Sequence, residues 1–119
     1  MRTQIAAGNW KMNLTYAQAQ TLVSEIVNMT RDEYHGNGLV IFAPSFPYLA
    51  GVAHLAKDHT RFRVAAQNVH HLESGAYTGE VSAQMLASMN VTHCLVGHSE
   101  RRQYFGETNA LLAQKVDIC

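Results

Sequence analysis

Two short stretches carry side chains suited to carbonyl chemistry. Asn9, Trp10 and Lys11 follow the apolar run QIAAG (4–8), and His98, Ser99 and Glu100 follow the apolar run HCLVG (93–97). In each, chemically capable groups appear where an apolar segment of strand length ends. A fixed cation such as Lys11 and a neutral imidazole such as His98, aimed at one oxygen, would stabilise an enediolate-like anion. The imidazole is expected to stay neutral, because SERR starts a new turn whose free backbone N–H groups disfavour imidazolium. Ser99 is poorly placed to use His98 as a base, since neighbours on an extended strand face opposite ways. Each residue also has a structural reading: His98 as a satisfied framework histidine, Asn9 as a turn cap, Lys11 as a solvated cation.

Groups so distant in sequence need a fold that gathers them. Four apolar runs read as buried strands: 4–8, 39–43 (LVIFA), 63–66 (RVAA) and 93–97. Between them the period becomes helical, at Ala19, Leu22, Val23 and Ile26, then Leu49, Val52, Ala53 and Ala56, then Val81, Met85, Leu86 and Met89. A fourth helix is expected from near Thr108, carrying Leu111, Leu112 and Val116. Ser45 ahead of Phe46-Pro47 is expected to cap the second helix, and Thr108 or Glu107 the last. Strand and helix alternating four times imply parallel strands, right-handed crossovers and helices on the outer face.

In such folds reactive groups gather at the carboxyl ends of the strands. Asn9 to Lys11, Gln67-Asn68 and His98 to Glu100 all stand there. Alternation points Ile5, Ala7 and Asn9 one way and predicts that Cys94, Val96 and His98 share the inward face of the fourth strand. The connection at 67–79, QNVHHLESGAYTG, takes about 13 residues where two to six are usual, which marks it as a functional loop.

The 119 residues suit one domain, 1–119, large enough for a true core. Apolar residues make up 47% and charged residues 15%, too little charge for a disordered chain. Nine basic residues balance nine acidic ones, so no net field draws the chain to nucleic acid or an acidic membrane, and a small substrate or another protein is the expected partner. No apolar run approaches the ~20 residues of a membrane span, and Gly8, Asn9 and Lys11 interrupt any signal-peptide core. Cys94 and Cys119 lack paired spacing and read as reduced thiols of a cytoplasmic protein, with Cys94 an inert core thiol. His70, His71, His93 and His98 do not match a zinc-site spacing, so no metal is expected, and no glycine-rich nucleotide motif is present.

Taken together, AGNWKMN (7–13), AAQNVHHLESGAYTGEVSAQML (65–86) and VGHSERRQYFGET (96–108) closely resemble the triosephosphate isomerase family. The resemblance covers the whole chain and implies the first (β/α)4 half of a TIM barrel. It implies cofactor-free interconversion of dihydroxyacetone phosphate and glyceraldehyde 3-phosphate. Asn9 and Lys11 would contact substrate, Lys11 as electrostatic clamp, and His98 would polarise the carbonyl, with Glu100 and Ser99 supporting. The loop with Tyr77, Thr78 and Gly79 would interdigitate in a homodimer, Thr78 reaching toward a partner's Asn9 and Lys11. The family's enzyme is about twice as long, and its glutamate base, lid and phosphate loops have no match among these residues. Weak or absent activity of these residues alone is therefore expected, or a self-assembling scaffold role. Four strands cannot close a barrel, so self-association through strand edges or through the loop is expected as well.

Overall fold

The computed structural model describes residues 2–119. Four strands form in chain order: β1 (Ile5–Asn9), β2 (Leu39–Ala43), β3 (Phe62–Ala66) and β4 (His93–Cys94). Every pairing is parallel and the order is β1-β2-β3-β4. Neighbouring parallel strands require crossovers, which α1 (Tyr16–Glu33), α2 (Leu49–Ala56) and α3 (Ala83–Ser88) supply. The α/β architecture is that of half a parallel barrel, as the sequence implies.

Helix α1 starts in a capping box: Gln18 N–H donates to Thr15 Oγ1, and Thr15 N–H donates back to Gln18 Oε1 at 2.9 Å. Its buried residues, Ala19, Val23 and Val27, repeat every four positions, with Leu22 and Ile26 half-buried beside them. In α2 Leu49, Val52 and Ala56 are buried, after a 3-10 turn at Phe46–Tyr48 that holds Pro47. These helices cover one face of the sheet. Phe42 of β2 stacks on Phe62 of β3 with centroids 5.6 Å apart, and Trp10 meets Phe42 edge-on. The other face carries the smaller cluster Ile41, Ala43 and Ala65 with Leu95.

Several expectations are corrected by the packing. β4 is two residues long, although Leu95 N–H still donates to Ala66 O at 2.8 Å. Its register pairs Ala66 with Cys94, so Cys94 and Val96 pack on the helix side and Leu95 faces the inner cluster. The predicted inward stripe of Cys94, Val96 and His98 therefore does not form. Gly97, at φ 74, interrupts the alternation and re-aims the chain before His98. Two helices rather than one follow β4: α4 (Ser99–Phe105) and α5 (Asn109–Ile118), parted by Gly106 at φ 64. Helix α4 left no apolar stripe to read, because Tyr104 and Phe105 are 69% and 66% exposed. In α3 only Leu86 is buried while Met85 points to solvent, and Val81 and Met89 flank the helix. The long connection reaches Ser82, whose side chain caps α3 by accepting from Met85 N–H. It is held by His70 N–H donating to Val81 O at 2.8 Å and by the Tyr77 ring, tilted against the His70 ring with centroids 4.7 Å apart. No helix among the described residues is long and apolar enough to cross a membrane.

Candidate functional site

Lys11 lies just past β1 with φ 56, a left-handed conformation that costs a non-glycine residue about 1–3 kcal/mol. Three strand ends hold it there. Its N–H donates to Asn9 Oδ1 at 3.0 Å, and its carbonyl accepts from Ser45 Oγ at 2.9 Å and from Gln67 Nε2 at 2.8 Å. Gln67 Nε2 also reaches Ala43 O, so one amide ties the ends of β1, β2 and β3 together. With its backbone fixed, Lys11 extends Nζ to Glu100 Oε1 at 2.5 Å across the mouth of the sheet. The pair is half-exposed. The hydrogen bond from Lys11, reinforced by its charge, holds the Glu100 carboxyl below the usual carboxylate range.

His98 is the N-cap of α4, and its Nδ1 accepts from Glu100 N–H at 3.0 Å. A nitrogen that accepts from a backbone N–H carries a lone pair, so Nε2 bears the ring proton in the neutral tautomer. The Glu100 Oε2 contact to Nδ1, at 3.8 Å, is too long to be a hydrogen bond and would require a proton where the cap requires none. His98 thus has one free donor, Nε2–H, beside a lysine cation.

The turn that delivers His98 depends on Gly97. A Cβ there would lie 2.9 Å from Leu112 Cδ1 and 3.3 Å from an Arg102 guanidinium nitrogen, on a backbone that disfavours side chains. Arg102 donates from Nε to Gly97 O at 3.0 Å and from Nη1 to Asn109 Oδ1 at 2.7 Å. Gly97→Ala is expected to lower stability by about 1–3 kcal/mol, read as a fall in the urea midpoint.

Behind α4 lies a buried ionic network. Glu107 Oε2 accepts from Lys115 Nζ at 2.5 Å and from Arg101 Nε at 2.9 Å, and Lys115 Nζ also donates to Asn68 Oδ1 at 2.7 Å. Lys115 and Glu107 are only 4% and 7% exposed. The network joins α4, which His98 caps, to the start of the long connection at Asn68. Thr108, the other candidate cap, takes that role for α5 by accepting from Leu111 N–H.

The fold therefore gathers Asn9, Lys11, His98 and Glu100 at one mouth. Ser99 is the exposed first residue of α4, and Tyr77, Thr78 and Gly79 lie on the exposed part of the long connection. No hydrogen bond among the described residues joins these four to Lys11 or His98. Ser45 stands at the N-cap of the 3-10 turn ahead of Pro47, as expected, but its hydroxyl makes no cap bond and donates to the Lys11 carbonyl instead. Sequence reasoning overlooked Glu107 with Lys115, whose burial no local pattern announces. The role of Gln67 was within reach, since it shares strand parity with inward Ala65.

The fold is thus a parallel β/α half-barrel whose carboxyl mouth carries a lysine, an amide and an imidazole. The family model for triosephosphate isomerase matches residues 4–119. The triosephosphate isomerase of Cytophaga hutchinsonii is 47% identical over 118 residues, covering 99% of this chain and 46% of that protein. That of Flavobacterium psychrophilum is 48% identical over 120 residues, covering 98% of this chain and 46% of the relative. The enzyme of Prosthecochloris aestuarii is 47% identical over 116 residues. The chain belongs to the triosephosphate isomerase family, and it spans about half the length of these curated relatives.

Proposed function

We propose that these residues form the electrophilic side of a site that interconverts dihydroxyacetone phosphate and glyceraldehyde 3-phosphate. The observation that carries this reading is the convergence of Lys11 Nζ and the His98 ring on Glu100 at one mouth, with Nε2–H of His98 free to donate. Lys11 would attract the substrate's phosphate and steady the developing anion, and His98 would polarise the carbonyl oxygen. Asn9 would contact substrate through whatever capacity its amide retains beyond the Lys11 N–H bond. Glu100 serves as the resting counter-ion of Lys11, which an anionic substrate would displace. Thr78, with Tyr77 and Gly79, would dock on a second protomer of a homodimer. The reaction needs no cofactor, and as a step of glycolysis and gluconeogenesis it would place the protein in the cytoplasm.

The same reading assigns these 119 residues little turnover alone. Glu100 is held by Lys11 and Glu107 is sequestered in its buried network, so neither acid is available to take a proton from carbon. A general base contributes about 10²–10⁴ in rate and substrate positioning as much again. A coupled isomerase assay of the chain is expected to give at most a trace of activity. Full turnover that His98→Ala abolishes would overturn the weak-activity reading.

One observation favours a second reading, a self-associating half-barrel scaffold. All five residues of β1 are exposed, Ile5 at 57%, along an edge of the sheet. Sedimentation should then show dimers or larger species at micromolar concentration, and a monomer there would count against it.

A further inference from the structure

The isomerase chemistry leaves two thiols without a role. Cys94 lies at the end of β4, half-buried, and turns its side chain toward the helix layer, where Sγ donates to Leu95 O at 3.3 Å. The last turn of α5 lies against the same place: Val116 and Cys119, three positions apart, line one cleft of about 640 Å³ with Cys94, Val96 and Val69. Cys119 is exposed. Two thiols from different elements therefore open into one cleft, one facing solvent and one half-buried in its wall.

We propose that Cys94 and Cys119 form a reversible intramolecular disulfide that clamps α5 to β4. Such a bridge needs Cα atoms within about 7 Å of each other, and the two residues line the same cleft from β4 and from the end of α5. Burial, with the nearby Cys119 thiol adding to it and Lys115 opposing, pushes the Cys94 thiol up to about 12. The thiolate is the nucleophile, so Cys94 is inert toward reagents in solution and Cys119 is the thiol that meets an oxidant first. The cleft is roomy enough to admit a small disulfide.

The chemistry closes with a low-molecular-weight disulfide as oxidant. The Cys119 thiolate attacks one sulfur of oxidised glutathione, forming a mixed disulfide and releasing one glutathione thiolate, which takes up the proton lost by Cys119. Cys94 then attacks Cys119 Sγ, its proton leaving to solvent or to the departing sulfur, and a second glutathione departs as thiol. The protein's two thiols lose two electrons and two protons, and one glutathione disulfide becomes two thiols. Proximity lets the poorly ionised Cys94 compete in the second step, because its partner is held beside it. The bridge forms four residues before His98, at the strand that leads into the site.

The test incubates the protein with excess oxidised glutathione at about pH 8, where free thiols begin to ionise, and reads the intact mass without reductant. The expected product has lost two hydrogens, carries no glutathione, has no titratable thiol, and reverts with a dithiol reductant. Cys94→Ser is expected to trap glutathione on Cys119, and Cys119→Ser to leave Cys94 unmodified. The second variant changes an exposed position and keeps the test sound should Cys94→Ser fold poorly. A stable glutathione adduct on the unsubstituted protein with Cys94 free, a disulfide-linked dimer in place of the internal bridge, or no reaction at all would overturn the proposal.

Discussion

Glu107→Ala lowers the unfolding free energy by about 3–5 kcal/mol, the range observed when one member of a buried ion pair is deleted. The loss is large because two cations depend on one carboxylate. Lys115 is left with Asn68 as its partner at 4% exposure, and Arg101 loses its acceptor too. Lys115→Met costs less, since Glu107 keeps Arg101 and the methionine stem fills the lysine's apolar path. Urea unfolding of both variants checks the order, and a larger loss for Lys115→Met would contradict it. Against a total of about 5–15 kcal/mol for an ordinary domain, Glu107→Ala removes a large share.

The same group sets an acid limit. Burial alone would raise the Glu107 carboxyl, but the hydrogen bonds and charges of Lys115 and Arg101 outweigh it and hold it below the usual range. The folded value thus lies beneath the unfolded one of about 4.3. Below that unfolded value the unfolded chain binds more protons than the folded one. The contribution is therefore complete above about pH 4.3 and disappears as pH falls through the lower, folded value. Glu100 is lowered as well, so acid frees Lys11 from its counter-ion over the same side of the scale. Urea midpoints measured from neutral to acid pH should fall in that window for the native chain and much less for Glu107→Ala.

If His98 polarises the carbonyl as proposed, His98→Ala in a complete barrel is expected to lower kcat about 10²–10³-fold, the cost of removing one donor to a developing oxyanion. The same substitution removes the α4 cap, worth about 1 kcal/mol of stability. The two effects separate: His98→Asn restores a capping oxygen, and with it stability, but places its amide short of the oxyanion. Rescue of stability without rescue of kcat is the expected result. If kcat recovered together with stability, His98 would be a cap and not an electrophile.

Much of this was legible along the chain because local rules govern it. Strand-length apolar runs and the 3.6-residue stripes of α1 and α2 report burial on one face of a regular element. Parallel alternation follows from the order of those elements, and it alone sends Asn9, Lys11, His98 and Glu100 to one end of the sheet. Where no single face was buried, the pattern was silent. Helix α4 exposes its aromatic residues, α3 buries one leucine, and β4 runs for two residues before Gly97 breaks the period on which the inward stripe depended.

What the sequence by itself determined is the class of fold and the mouth at which Asn9, Lys11, His98 and Glu100 assemble, since these depend on periodicity and on residue types at strand ends. Only the tertiary structure decided how these residues are held. The left-handed Lys11 is fixed by Ser45 and Gln67 from two other strand ends, and the Nδ1 acceptance that commits His98 to donate from Nε2 is a matter of angstroms. The Glu107–Lys115 pair and the approach of Cys119 to Cys94 join residues on separate elements. Contacts of that kind come from the packing of one element on another, which no local period encodes.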